Sequence, residues 1–260
     1  MTNKTALITG ASSGIGKELA ILHAKNGDNL VLVARRVDKL NRLKEELERQ
    51  YAIKVSIFEK DLSQVGAALE LYDEVKFANI KIEYLINNAG FGLLGKFHEL
   101  DWTKHFTMIN LNMTALTELT HLFLPDFIEQ GGGKILNTSS TASLVPGPLH
   151  AVYYASKAYV TSFGNALAEE YYDKNITVTN LLPGATETEF GAVSGMDKSK
   201  GFAKTVTAKS VAQDGFDAMM RGELDSISGL TTMQKIMLWM LPFIPKRMLL
   251  KNVREFQEAK

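Results

Sequence analysis

The chain has 260 residues, 29 basic and 29 acidic side chains, 45% hydrophobic residues and no cysteine. A chain of this length fits one α/β domain with a sizeable core. Its balanced charge argues against a nucleic-acid partner, and the missing cysteines exclude disulfides, thiolate metal sites and a cysteine nucleophile.

The first residues, MTNKTALITGASSG, hold no apolar run of signal length before glycines intervene. The apolar stretch 236–245 near the other end is too short for a membrane span and is interrupted by Pro242. Both features lead us to expect a cytoplasmic protein without a transmembrane span.

Strand-length apolar runs cover 5–9, 29–34, 54–58, 82–86, 134–137 and 176–182. Between them lie longer stretches, such as 39–50 and 64–77, with apolar residues three and four apart. This alternation predicts βαβ units, a parallel sheet and helices on both faces. No repeat, low-complexity tract or linker divides the chain, so we expect a single domain over 1–260. Residues 184–209 are rich in Gly, Ser, Thr and Lys. A connection that long inside a compact domain is expected to act as a lid, placed at about 185–209.

The first strand runs into Thr9-Gly10-Ala11-Ser12-Ser13-Gly14-Ile15-Gly16, followed by a helical pattern to Lys25. Glycines at such a junction let the backbone turn sharply and approach a pyrophosphate, which the helix N-terminus attracts. A tight strand–helix turn has the same composition, and the spacing is Gly-x-x-x-Gly-x-Gly rather than Gly-x-Gly-x-x-Gly. The second strand ends in Ala34-Arg35-Arg36, where NAD-preferring proteins place an acid for the ribose 2′-hydroxyl. Two guanidinium groups suit a 2′-phosphate instead, which favours NADP(H) and leaves NAD(H) possible.

Tyr153 and Lys157 stand four apart on a helical pattern that runs to about Tyr172, so they share a face. An ammonium beside a phenol favours the phenolate, and the pair can move a proton. Ser140 follows the fifth strand, and a hydroxyl there can donate to a substrate oxygen. On chemistry alone Ser139, Thr141 and Ser143 serve as well.

Taken together and in order, these motifs resemble the short-chain dehydrogenase/reductase superfamily in its form of roughly 250 residues. The resemblance rests on Thr9-Gly10-x-x-x-Gly14-Ile15-Gly16, Asn87-Asn88-Ala89-Gly90, Ser140 with Tyr153-x-x-x-Lys157, and Pro183-Gly184. It spans about residues 4–230. It implies a Rossmann-type doubly wound sheet and an oxidoreductase that moves a hydride between nicotinamide and a carbonyl or secondary alcohol. By resemblance Tyr153 is the general acid or base, Lys157 lowers its pKa and holds the nicotinamide ribose, and Ser140 polarises the substrate oxygen. Asn110 and Asn112 both suit the asparagine of the proton relay, and the family pattern favours Asn112. Gly10, Ser12, Ser13, Gly14, Ile15 and Gly16 would cradle the pyrophosphate. Asp61 and Leu62 would flank the adenine, Asn88, Ala89 and Gly90 the ribose, and Pro183, Gly184, Thr186 and Thr188 the nicotinamide. Arg35, with Arg36, matches the NADP-preferring pattern. The family also implies a homodimer or homotetramer.

No metal is expected, because the five histidines show no paired ligand spacing. His150, three residues before Tyr153, stands close enough in sequence to approach the pocket. Wall positions at 92–94 and 144–149, with Phe190, Met196 and Phe202, are mostly apolar and suggest a hydrophobic small-molecule substrate. A 3-oxoacyl-thioester reductase is an alternative, and a non-catalytic dinucleotide sensor is another, disfavoured by the Tyr153/Lys157 pair. The tail, about 231–260, matches no motif. Its simplest reading is a helix packing its apolar face on the domain; an oligomer contact, a substrate flap and a membrane-surface helix are alternatives.

Overall fold

The computed structural model describes residues 4–258. The chain begins β1 (Thr5–Thr9), α1 (Gly14–Lys25), β2 (Asn29–Ala34), α2 (Val37–Gln50), β3 (Val55–Glu59), α3 (Ala67–Phe77) and β4 (Tyr84–Asn87). It continues α4 (Trp102–Ile109), α5 (Leu116–Glu129), β5 (Gly133–Thr138), α6 (Ala151–Glu170) and β6 (Ile176–Pro183). Then come β7 (Thr186–Glu187), α7 (Phe190–Ser194), β8 (Val206–Thr207), α8 (Ala208–Arg221), β9 (Asp225–Ser228), α9 (Thr232–Met240) and α10 (Lys246–Gln257).

Seven strands pair in parallel in the order β3-β2-β1-β4-β5-β6-β9. The central strands are apolar on both sides because helices cover both faces. Along β1, Ala6 and Ile8 pack with Leu19 of α1, Leu40 and Leu47 of α2, and Val211 of α8. Leu7 points the other way, into a second core with Leu71 of α3 and Phe123 and Phe127 of α5. The period of two thus splits each strand between two cores. The chain leaves β1 toward β2 on one side and returns to β4 on the other. That reversal opens a crevice beyond the carboxyl ends of β1 and β4, where ligands bind in doubly wound sheets.

The six expected strands form, β1 and β2 at the expected bounds and the other four with ends shifted by one or two residues. The seventh, β9, has the sequence DSIS and a single apolar residue at the sheet edge, so no hydrophobic run announces it. The expected lid is not a bare loop: β7 pairs with β8 and α7 lies between them. The tail is double in character. On α10, Val253 packs beside Tyr153 and Tyr154 and Gln257 is buried, whereas α9 exposes Met233, Ile236 and Met240. No helix among the described residues is long and apolar enough to cross a membrane.

Candidate active site

The end of β1 is built to hold a bare backbone turn. Gly10 and Gly14 have φ of +68° and +56°, which L side chains rarely adopt. At Gly16 a Cβ would lie 2.5 Å from both the Gly10 carbonyl oxygen and the Asn88 side chain. Thr9 Oγ1 accepts from the N–H groups of Asn88 and Ala89 at 2.9 and 3.0 Å. Asn88 Nδ2 donates to the Thr9 carbonyl at 3.0 Å, and Thr138 Oγ1 donates to Asn88 Oδ1 at 3.2 Å. Asn88 therefore clips together the ends of β1, β4 and β5. Ser13, at the N-cap of α1, makes no side-chain capping bond, and the first turn carries no acidic residue. The N–H groups there keep their attraction for an anion.

The two arginines part company. Arg36 Nη2 donates to Ser12 Oγ at 3.0 Å and to Ser13 Oγ at 2.8 Å. Arg35 is 73% exposed, and its one ion pair among the described residues is with Asp61, at 4.0 Å. Burial acts to raise the pKa of Asp61, but bonds from Ser63 and the charge of Arg35 outweigh it and leave the carboxyl below its ordinary value. Glu189 accepts from Lys39 Nζ and pairs with Arg36, each at 2.8 Å, and Ser13 Oγ donates to it at 3.0 Å. Lys39 first, then Arg36, hold its pKa down at about 2. A carboxylate from the segment between β7 and α7 thus sits where Arg36, Lys39 and Ser13 converge on an anion.

At the other end of the cleft, α6 buries Tyr153 and Lys157. Lys157 Nζ donates to the Thr138 carbonyl at 2.6 Å and lies 5.9 Å from the centre of the Tyr153 ring. Burial lowers the Lys157 pKa to about 8. It also pushes the Tyr153 phenol well above its ordinary value, with a hydrogen bond involving Ser140 opposing and Tyr154 adding to the rise. Ser140 Oγ accepts from the Ala142 N–H at 3.1 Å, which fixes the loop after β5.

Asn110 and Asn112 lie in a π-helical turn, Asn110–Ala115, between α4 and α5. Such wide turns recur at functional sites because they re-aim side chains. Here the turn separates the two candidates. Asn110 Nδ2 donates to the Ser63 carbonyl at 2.6 Å, away from the tyrosine. Asn112 Nδ2 donates to the Phe91 carbonyl at 3.0 Å and to Ser156 Oγ at 3.1 Å, and its Oδ1 accepts from the Phe91 N–H at 3.1 Å. A Cβ on Gly90 would meet Asn112 Oδ1 at 3.0 Å and Lys157 Nζ at 3.5 Å.

These groups face one cleft of about 410 Å³. Gly10, Ser12, Ser13, Gly14 and Ile15 line its phosphate end, with Arg35, Arg36, Asp61 and Leu62 beside them. Asn88, Ala89 and Gly90 line the middle; Ser140, Tyr153 and Lys157 face Pro183, Gly184, Thr186 and Thr188 beyond. Gly16 and Asn112 stand just behind the wall. Of the expected substrate wall, Phe190, Met196 and Phe202 line the cleft, whereas residues 92–94 and 144–149 do not. The second of these segments is used for packing: a Cβ on Gly147 would lie 2.2 Å from the Tyr154 ring. His150 is buried behind the tyrosines, its ring 5.8 Å from that of Tyr153, and does not reach the cleft. Burial holds its pKa near 4. No cluster of three or more metal-ligating side chains occurs among the described residues.

A family model described as short chain dehydrogenase matches residues 4–199. The chain belongs to the short-chain dehydrogenase family. The very-long-chain 3-oxoacyl-CoA reductase of Anas platyrhynchos is 31% identical over 224 residues, 84% of this chain and 70% of that protein. A short-chain dehydrogenase from Sphingobium yanoikuyae in complex with NADPH superposes with a TM-score of 0.83 at 30% identity over 99% of both chains. The bulky-bulky ketone specific alcohol dehydrogenase from Comamonas testosteroni gives 0.79 at 28% identity over 99% of this chain and 98% of that one. This short-chain dehydrogenase is an oxidoreductase acting on the CH–OH/C=O couple.

Sequence reasoning missed Glu189, Tyr154, Phe256 and Gln257, all of which line the cleft of this dehydrogenase. Gln257 Nε2 donates to the Tyr154 hydroxyl across more than 100 residues of chain, and no local pattern signals that contact. Spacing sets Tyr154 aside as the acid–base, because only Tyr153 has a lysine four residues on, and it gives no sign that Tyr154 also faces the cleft.

Proposed function

We propose that the chain interconverts an apolar, bulky ketone or aldehyde and its alcohol, with NADP(H) preferred to NAD(H). The observation that carries the reading is the buried Tyr153 and Lys157, with half-buried Ser140 facing them, in a cleft walled by Phe190, Met196, Phe202 and Phe256. The cofactor site passes a test of fit. Gly10 and Gly14, both at positive φ, line the phosphate end with bare backbone, and Gly16 behind them lets the start of α1 close against the Gly10 carbonyl, where a Cβ would lie 2.5 Å away. Arg36, braced by Ser12 and Ser13, offers a fork to a 2′-phosphate.

Bound NADPH supplies the hydride. The protein does the rest. Ser140 donates a hydrogen bond to the substrate oxygen and orients the carbonyl over the cleft. Tyr153, kept as a neutral phenol by burial, donates its proton to the oxygen as negative charge develops there. Lys157 holds a positive charge beside that phenol and favours the phenolate left behind. Asn112, with Ser156, fixes the backbone turn at Phe91 that brings the strand end against Lys157. Phe190, packed 5.4 Å from the Tyr153 ring, shields the reacting oxygen from bulk water.

A 3-oxoacyl thioester is the second reading, favoured by the 3-oxoacyl-CoA reductase of Anas platyrhynchos. NADPH consumption measured on a panel of bulky ketones, short aldehydes and 3-oxoacyl thioesters separates the two. Preferred turnover of bulky ketones supports the first reading. No NADPH-dependent reduction of any carbonyl on the panel refutes both.

A further inference from the structure

The tail carries an apolar face that the domain does not cover. On α9, Met233, Ile236 and Met240 are spaced three and four apart, share one face, and are 70%, 53% and 43% exposed. Among the described residues, the main packing of α9 is with the turn that follows it. Phe243 in that turn and Met248 at the start of α10 extend the apolar surface, at 71% and 58% exposed.

Cations border this surface. Lys246, Arg247 and Lys251 are all exposed, and none pairs with a carboxylate among the described residues. Arg247, Met248 and Lys251 occupy adjoining turns of the outer face of α10. Residues 232–258 carry five basic and two acidic side chains in a chain whose total charge is zero. The inner face of α10 does the opposite: Val253 and Gln257 pack on the tyrosines of α6.

We infer that α9, its following turn and the outer face of α10 form a docking surface for an anionic lipid bilayer. Exposed methionine, isoleucine and phenylalanine side chains enter the acyl boundary, while lysine and arginine stay at the phosphate level. A second copy of this chain fits less well, because it brings the same unpaired cations to the contact. The surface is continuous with the wall of the cleft, since Phe256 of α10 packs on Gly201 and lines the apolar end. Docking would set that end beside the membrane, the phase in which an apolar carbonyl compound concentrates. The inference does not depend on the proposed reaction.

The test is flotation of the full chain with vesicles of phosphatidylcholine, with and without phosphatidylglycerol. The I236D/M240D and R247A/K251A variants serve as controls. None of these residues lines the cleft, so both should keep their turnover of a water-soluble carbonyl and their thermal midpoint. The native chain should float with the anionic vesicles and release at ~0.5 M salt. R247A/K251A should bind about 30-fold more weakly, and I236D/M240D should not bind. Three results would overturn the inference: no binding to anionic vesicles, equal binding to phosphatidylcholine alone, or binding that both variants retain. A dimer that I236D/M240D dissociates, without vesicle binding by the native chain, would overturn it in favour of a second copy.

Discussion

Lys157 carries a charge that the fold does not neutralise. It is 5% exposed and pairs with no carboxylate among the described residues; its ammonium donates to one carbonyl, that of Thr138, at 2.6 Å. Burial takes its pKa from 10.5 to about 8. At ~1.4 kcal/mol per pKa unit, holding the charged form in the fold costs about 3 kcal/mol. Lys157→Met keeps the length of the side chain and removes the charge. It also leaves the Thr138 carbonyl unpaired, a loss of about 2 kcal/mol. The variant should therefore be more stable at pH 7 by about 1 kcal/mol, a rise in Tm of ~2–4 °C, while turnover is lost. The direction with pH follows from linkage. Between about pH 8 and pH 10.5 the unfolded lysine is protonated and the folded one is not, so the native chain gains stability as pH rises through that window. The variant's advantage should shrink and reverse there. Thermal melts of both proteins by circular dichroism at pH 7 and pH 10 test this. A variant less stable than the native chain at pH 7, or a gap that does not change with pH, would refute the claim that Lys157 is held charged at the expense of stability.

Two further substitutions probe the cofactor end. Arg36→Ala should weaken NADPH binding about 10- to 100-fold and NADH binding less than about threefold, read by cofactor titration. Arg35→Ala should have the smaller effect, because Arg35 points to Asp61; a larger effect at Arg35 would exchange their roles. Gly16→Ala places a Cβ 2.5 Å from the Gly10 carbonyl, so it should destabilise the fold by about 1–3 kcal/mol and abolish cofactor binding. A variant with native Tm and native NADPH affinity would show that the turn has slack.

The central sheet is legible in the sequence because buried parallel strands read as unbroken apolar runs, as in Leu7 and Ile8 or Leu30 to Val33. The tyrosine and lysine are legible because one helical turn fixes their relation. What escapes is set by contacts distant along the chain. β9 is a short, mostly polar edge strand, recognisable only beside β6. That Arg36 and not Arg35 meets Ser12 and Ser13 depends on how α2 leaves β2 and on two serines 23 and 24 residues away. The family pattern already favours Asn112 over Asn110; what spacing does not show is the π-helical turn that sends their side chains to different partners. Glu189 and Gln257 reach the cleft from the turn after β7 and from the end of α10, where tertiary packing rather than periodicity sets their position.

The most direct test of the account is the Tyr153→Phe variant, measured for NADPH affinity and for turnover of a ketone that the native chain reduces. The phenol hydroxyl is the proton donor in this account, and the ring is the part that packs. Cofactor affinity should hold within about twofold, while kcat falls by about 10²- to 10⁴-fold. A variant that binds NADPH and turns over at the native rate would contradict it.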